Sequence, residues 1–511
     1  MKFKIMLKYC LLSLFLITGY CLTAQQPAFI TDSLDIYIQR EMQRWQVPGL
    51  AIAIVKDGKV VATKGYGVTD LETKKPVDAN TLFMIASNTK AFTGTSLAIL
   101  EKQGRISLND KVINYLPYFA LNNPEITKMV TIEDVLSHRL GFETFQGDFL
   151  NWDSNLSRKE LIQNMQKNIP PYDFRDTYGY CNAGFLTAGE IILAVTDTSW
   201  DDYLKYHFFN PLKMTRTSTT YAALLKDENK CSPYTIFNGK LVKLDYDNLD
   251  NLGPAASINS SVNDLSHWLL LQLANGKFEG KEIISADAIK NTRLPRSVAG
   301  SGSSGLYKSQ HFNLYGLGWF LKDYEGKKLM THSGGANGFV TTTLVVPEAQ
   351  LGVIVLTNTD ANGLYEALQN QIFEAYLGLP YRNLSSIYYG FYAPGYQETD
   401  IQLAEWAKLI EKNHKPALDL NAYTGKYYNS VYGEITIENK NGALEIHFAH
   451  HPQLTGNLKS VGENKFICYY NPVSWGVKET PFTVENNKVK SVTITINDFI
   501  DFLPYEFVKQ E

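Results

Sequence analysis

From residue 417 onward the chain runs in short stretches that alternate apolar and polar residues, among them GEITIENKNGALEIHF and KVKSVTITIND. Side chains spaced in this way face opposite sides of a strand, whereas on a helix the same spacing would scatter the apolar residues round the axis. Asn441-Gly442 lies between two such runs, where a two-residue hairpin turn needs residues that tolerate positive φ. The tail 417–511 is therefore expected to form a small all-β domain, either a sandwich or a barrel.

The preceding residues have a different rhythm. In AIAIVKDGKVVATKGYG two apolar runs flank Asp57-Gly58 as a first hairpin. Helical periodicity follows at EDVLSHRL, AGFLTAGEIILAV and VNDLSHWLLLQLANG, and strands return at KLMTH, FVTTTLVVP and LGVIVLTN. A hairpin, then helices, then consecutive strands predict an α+β domain over 25–382, one antiparallel sheet flanked by helices with a mainly helical subdomain. Residues 383–416 read as a connector, a Tyr/Pro-rich stretch at 386–398 followed by one amphipathic helix, ETDIQLAEWAKLIEKN. At 511 residues the chain is long for one hydrophobic core, which agrees with a junction between two.

At the N-terminus, Lys2, Lys4 and Lys8 precede an apolar run from Tyr9 to Tyr20 and then CLTAQQ, the pattern of a secretory signal cleaved after Ala24. The run is short for a membrane span. Tyr20 is bulky beside Cys21, where lipidation takes a small residue. Export to the periplasm or the medium is expected, with membrane contact only if the segment stays uncleaved or lipidated. Cleavage leaves Cys181, Cys231 and Cys468, an odd number that excludes a disulfide framework. No Cys/His cluster has zinc spacing, so no metal is implied, and no organic cofactor is expected. A net charge of −4 without a basic block gives no footprint for nucleic acid. The expected partner is a small-molecule or peptide substrate.

Three short segments carry candidate chemistry. In FMIASNTKAFTG, Ser87 and Lys90 are three residues apart at the start of a helix with almost no polar face. Ser87 could be a helix N-cap. Alternatively, a desolvated Lys90 with a lowered pKa could take the proton of Ser87 and make it a nucleophile. In TYGYCNAGF, Tyr180 and Asn182 fall on one side of an extended segment and could present a phenol and an amide to one cavity, or be a core tyrosine and a helix cap. In THSGGANGF, between two predicted strands, His332 and Ser333 precede Gly334 and Gly335, whose bare backbone admits a ligand or simply makes a turn.

The order Ser-x-x-Lys, Tyr-x-Asn, His-Ser-Gly resembles the serine β-lactamase and penicillin-binding superfamily, specifically its class C β-lactamase, D-alanyl-D-alanine carboxypeptidase and esterase branch. TIEDVLSHRLGF and YGLGWF are similar to further family segments, and the resemblance covers roughly residues 30 to 380. The tail resembles the β-barrel domain, lipocalin-like in some relatives, appended to many of these hydrolases. The resemblance implies that Ser87 is the nucleophile, Lys90 its base or proton relay, and Tyr180 the group that shuttles protons to the leaving group and later activates water. It also implies that Asn182 binds the substrate amide and that the backbone N–H groups of Ser87 and Gly335 form an oxyanion hole. His332 departs from the lysine usual in antibiotic-hydrolysing members. That shifts the expectation toward an exported esterase, or a peptidase acting on D-amino-acid or cell-wall-type peptides. A true β-lactamase and a non-catalytic peptidoglycan sensor remain the alternatives.

Overall fold

The computed structural model describes residues 26–302 and 305–511. The expected signal segment, residues 1–24, lies outside the described residues. Eight strands form the main sheet: β1 (Gly49–Lys56), β2 (Lys59–Gly67), β3 (Ser297–Ser301), β4 (Phe312–Tyr315), β5 (Phe320–Tyr324), β6 (Lys327–Ala336), β7 (Phe339–Val346) and β8 (Leu351–Thr357). Their spatial order is β2-β1-β8-β7-β6-β5-β4-β3, antiparallel throughout. Asp57 and Gly58 both have positive φ and close the β1–β2 hairpin as the Asp-Gly pair predicts.

β1 is apolar from Leu50 to Val55 because both faces of the sheet are covered there. Leu50, Ile52 and Ile54 pack with α1 (Leu34–Arg44) and α5 (Leu364–Tyr376), while Ala51, Ala53 and Val55 belong to the core on the other side. That second core contains α2 (Thr89–Lys102), α3 (Asn182–Thr196) and α4 (Val262–Leu273). α2 runs through its middle, so its residues from Thr89 to Ala98 are all buried.

Three local expectations are corrected. The stretch read as a Tyr/Pro-rich connector at 386–398 is helical, part of α6 (Leu384–Glu411), which continues through Pro394. Its first turn is pinned by tertiary contacts that outweigh the proline signal. Trp45 donates to Ser385 Oγ at 2.8 Å, Ser385 donates to Glu41 at 2.8 Å, and Tyr389 and Tyr392 pack edge-on against Trp45. The helix expected over EDVLSHRL stops at Leu136, and His138 takes positive φ. The motif at 331–339 lies largely on β6 itself, with Gly334 and Gly335 paired to Thr341 and Val340 of β7.

The tail is a closed barrel of eight antiparallel strands in sequence order: β9 (Gly425–Asn429), β10 (Gly433–Lys440), β11 (Ala443–Phe448), β12 (His451–Gly462), β13 (Lys465–Asn471), β14 (Val477–Glu485), β15 (Lys488–Ile494) and β16 (Tyr505–Lys509). β9 pairs with β16 to close it. Ile435, Ile437, Leu444, Ile446 and Phe448 point inward at alternate positions. The barrel core is continuous with the helical side of the first domain. Phe149, from a short helix Asp148–Asn151, stacks on Tyr432 with ring centroids 4.4 Å apart and touches Phe448, His451, Trp475 and Tyr505. His451 Nε2 bonds the Trp152 carbonyl at 2.7 Å, and Asn164 donates to the Val431 carbonyl at 2.8 Å. Cys181, Cys231 and Cys468 are buried and free.

Candidate active site

Ser87 stands in a short 3-10 turn, Ala86–Asn88, that leads into α2, and its side chain caps no backbone group. Ala86 has φ 45°, an uncommon value for a residue with a Cβ, of the kind that collects at functional turns. The turn is clamped by β6: a Cβ on Gly334 would come within 2.0 Å of the Ile85 carbonyl oxygen, so only glycine lets the strand approach.

Lys90 is fully buried. Its Nζ donates to Ser87 Oγ at 3.0 Å, Asn182 Oδ1 at 2.6 Å and the Ala255 carbonyl at 3.0 Å, three acceptors for the three hydrogens of an ammonium. It also lies 4.7 Å over the ring of Tyr180. Burial pulls its pKa down to about 7, with the carboxylate of Asp148 opposing the shift.

Tyr180 lines the same cleft as Ser87, and burial drives its phenol far above the ordinary tyrosine value. Its ring is stacked on His138 with centroids 4.4 Å apart. His138 accepts from the backbone N–H of Cys181 at 2.9 Å through Nδ1, and burial together with the charge of Lys90 keeps it neutral. The left-handed turn that ends the EDVLSHRL helix thus places an imidazole under the Tyr180 phenol. Asn182, the first residue of α3, uses Oδ1 for Lys90 and donates from Nδ2 to Asp148 at 2.5 Å.

His332 is buried with both nitrogens engaged, Nδ1 to the Ser333 carbonyl at 2.6 Å and Nε2 to the Tyr315 hydroxyl at 3.0 Å. Burial and Lys90 depress its pKa to about 3, so the ring is neutral. Ser333 is exposed beside it. Gly335 faces Phe499 of the barrel's β15–β16 loop: a Cβ there would lie 2.7 Å from the ring. The structure therefore gathers Ser87, Tyr180, Asn182, His332, Ser333, Gly334 and Gly335 round one cleft of about 550 Å³, with Lys90 behind Ser87. A larger cavity, about 920 Å³, lies between β5–β7 and helices α5 and α6, and contains neither Ser87 nor Tyr180.

The family described as Beta-lactamase matches residues 34–376. The chain belongs to the β-lactamase family of hydrolases. Residues 410–509 match a domain of unknown function, DUF3471. Protein flp of Staphylococcus aureus (strain COL) is 30% identical over 353 residues, covering 67% of this chain and 66% of that protein. The chain thus spans just under two thirds of the length of that curated relative. The octameric penicillin-binding protein homologue from Pyrococcus abyssi superposes with TM-score 0.60 at 21% identity, over 94% of this chain and 100% of its own. A D-stereospecific amidohydrolase from Streptomyces sp. superposes with TM-score 0.54 at 21% identity, over 66% and 97%.

Sequence reasoning missed the residues that close this β-lactamase-family cleft. Asp148 supports Asn182 from below, and Phe145, Trp152, Phe499 and Phe502 line the walls. Phe145 bridges Tyr180 and the barrel's Phe502, with centroids 5.5 and 5.3 Å away. Among the described residues lining the cleft there is no lysine or arginine.

Proposed function

We propose that this protein is a serine hydrolase that works through an acyl-enzyme on esters or amides bearing an apolar or aromatic group and no carboxylate beside the scissile bond. The observation that carries this reading is the contact between the fully buried Lys90 and Ser87. When Lys90 loses a proton, Asn182 Oδ1 and the Ala255 carbonyl still require its two remaining hydrogens, since neither oxygen can donate. The lone pair is then left facing Ser87, whose hydroxyl turns to donate. A depressed lysine pKa makes this neutral form available near pH 7. Ser87 Oγ attacks the carbonyl carbon, its proton passes to Lys90, and the oxyanion is held by the backbone N–H groups of Ser87 and Gly335. Tyr180 remains a phenol and relays the proton to the leaving group, then assists water in deacylation. The second hydrogen on Asn182 Nδ2 is left for the substrate.

The aromatic walls and the absence of lysine and arginine among the described lining residues favour apolar substrates. A β-lactam or a peptide C-terminus offers a carboxylate with no fixed positive charge to meet it. The protein acts after export, its first 24 residues removed. The test is labelling with a fluorophosphonate and peptide mapping, followed by hydrolysis of p-nitrophenyl esters, D- and L-aminoacyl p-nitroanilides and nitrocefin, with Ser87→Ala as blank. Adduct on Ser87 and turnover of neutral esters or anilides are expected. Adduct elsewhere, or none on folded protein, overturns the reading.

A further inference from the structure

The machinery round Ser87 does not end at Asn182. Asp148 is buried, accepts from Asn182 Nδ2 at 2.5 Å and from Asn151 Nδ2 at 3.0 Å, and belongs to a segment that the barrel grips on both sides. The N–H of Gly147 donates to Tyr505 Oη at 3.0 Å, the N–H of Phe149 to Asp501 Oδ2 at 3.1 Å, and Tyr505 donates to the same Asp501 oxygen at 2.6 Å. The barrel therefore holds the backbone on both sides of Asp148, and a hydrogen-bonded path runs from Asp148 through Asn182 and Lys90 to Ser87.

We propose that Asp148 is a positioning residue for Lys90, and that the barrel, by holding residues 147–149, fixes the orientation of Asn182 and with it the direction of hydrogen bonding between Lys90 and Ser87. The proposal rests on the Ser87–Lys90 reading above. An amide can present either end to Lys90, and only its oxygen leaves the lysine lone pair for Ser87. In its ionised form Asp148 accepts and does not donate, so that form selects the orientation with Nδ2 toward itself and Oδ1 toward Lys90. Alanine at 148 would remove that selection and leave the amide's donor buried without its partner.

The same arrangement couples charges. Asp148 faces Asp501 and Tyr505 from the barrel, Lys90 from α2, and Tyr180 and Cys181 from the segment before α3. Lys90 faces Asp148, Cys181, Tyr180 and the neutral His138 and His332. Burial pushes Asp148 up to about 7, its amide partners and Lys90 oppose this, and the negative charge of Asp501 adds to it. Two substitutions then act in opposite directions. Asp148→Asn removes the charge that favours the ammonium, so Lys90 loses its proton at lower pH. Asp501→Asn lets Asp148 ionise more readily, which favours the ammonium, so Lys90 loses its proton at higher pH.

The experiment measures kcat/KM for a neutral p-nitrophenyl ester from pH 5 to 9 on the full chain, with fluorophosphonate labelling of Ser87 in every variant. In Asp148→Asn the acid limb should move down by about one unit, the scale on which an opposite charge shifts a buried group. In Asp501→Asn it should move up by less. Asp148→Ala should lose roughly tenfold or more in kcat with KM little changed, and Asp148→Asn, whose Oδ1 can still accept from Asn182 but whose amide no longer enforces that direction, should recover part of that loss at its own optimum. Unchanged limbs, or limbs that move the same way, overturn the proposal. Should Asp148→Asn not fold, Asp501→Asn decides alone: an upward shift supports the proposal, and no shift or a downward one overturns it. Failure of the wild-type protein to label at Ser87 would instead remove the serine-hydrolase reading underneath.

Discussion

Phe149→Ala tests whether the barrel is docked on the β-lactamase-family domain as a structural part of it. The ring is 1% exposed and its partners Tyr432, Phe448, His451, Trp475 and Tyr505 all belong to the barrel domain. A buried aromatic side chain covers roughly 150–250 Å². At about 25 cal/mol per Å² that is worth about 4–6 kcal/mol against full exposure, and measured Phe→Ala changes in cores cost about 3–5 kcal/mol. Taking about 4 kcal/mol, the docked barrel becomes roughly a thousandfold less favoured over the undocked one. Trp152 and Trp475 both lie close to this junction, so urea unfolding followed by tryptophan fluorescence reads it directly. The expected result is an early transition absent from the wild type, with loss of ester hydrolysis across that transition because Asp148 is the adjacent residue. Tyr428→Ala, on a side chain 45% exposed on the barrel's outer wall, serves as control and should change stability by no more than about 0.5 kcal/mol. A destabilisation below about 1 kcal/mol for Phe149→Ala, with hydrolysis intact, would refute the docking argument.

Tyr180→Phe should lower turnover by roughly 10²-fold or more, the scale of a positioned acid–base group, and leave the melting curve unchanged; near-normal turnover would return Tyr180 to packing alone. Gly335→Ala should lose ester hydrolysis because its new Cβ would meet the Phe499 ring at 2.7 Å, and adding Phe499→Ala should restore part of it. No recovery in the double variant would show that the clash lies elsewhere. His332→Lys should raise kcat/KM for a carboxylate-bearing β-lactam relative to a neutral ester, since it would supply a cation to a cleft whose described lining has no lysine or arginine. An unchanged ratio would mean that residue 332 does not act on the substrate.

What was legible in the sequence depended on the distance over which each decision is made. Period-two alternation and the Asp-Gly and Asn-Gly turns are local, and they predicted both the opening hairpin and the β-rich tail. The Ser87–Lys90 pair was legible for the same reason, because one helical turn brings the two together whatever surrounds them. The proline and tyrosines at 386–398 misled because burial of Ser385 and Tyr388 against α1 and α5 decides that helix, and neither partner is local. Asp148 carries no local mark at all: in QGDFLNWD it reads as a polar residue in a turn. Its importance comes from Asn182 on one side and from Asp501 on the other, where the N–H of its neighbour Phe149 meets a carboxylate 352 positions further along the chain. A catalytic pair can be built within one helical turn. The charges that act on Lys90 are set by the fold packed around it: Asp148 acts on Lys90, and Asp148 in turn feels Asp501 of the appended barrel. The boundary between the two family matches, near residues 376 and 410, therefore separates stretches of sequence more cleanly than it separates the parts that would make Lys90 a base.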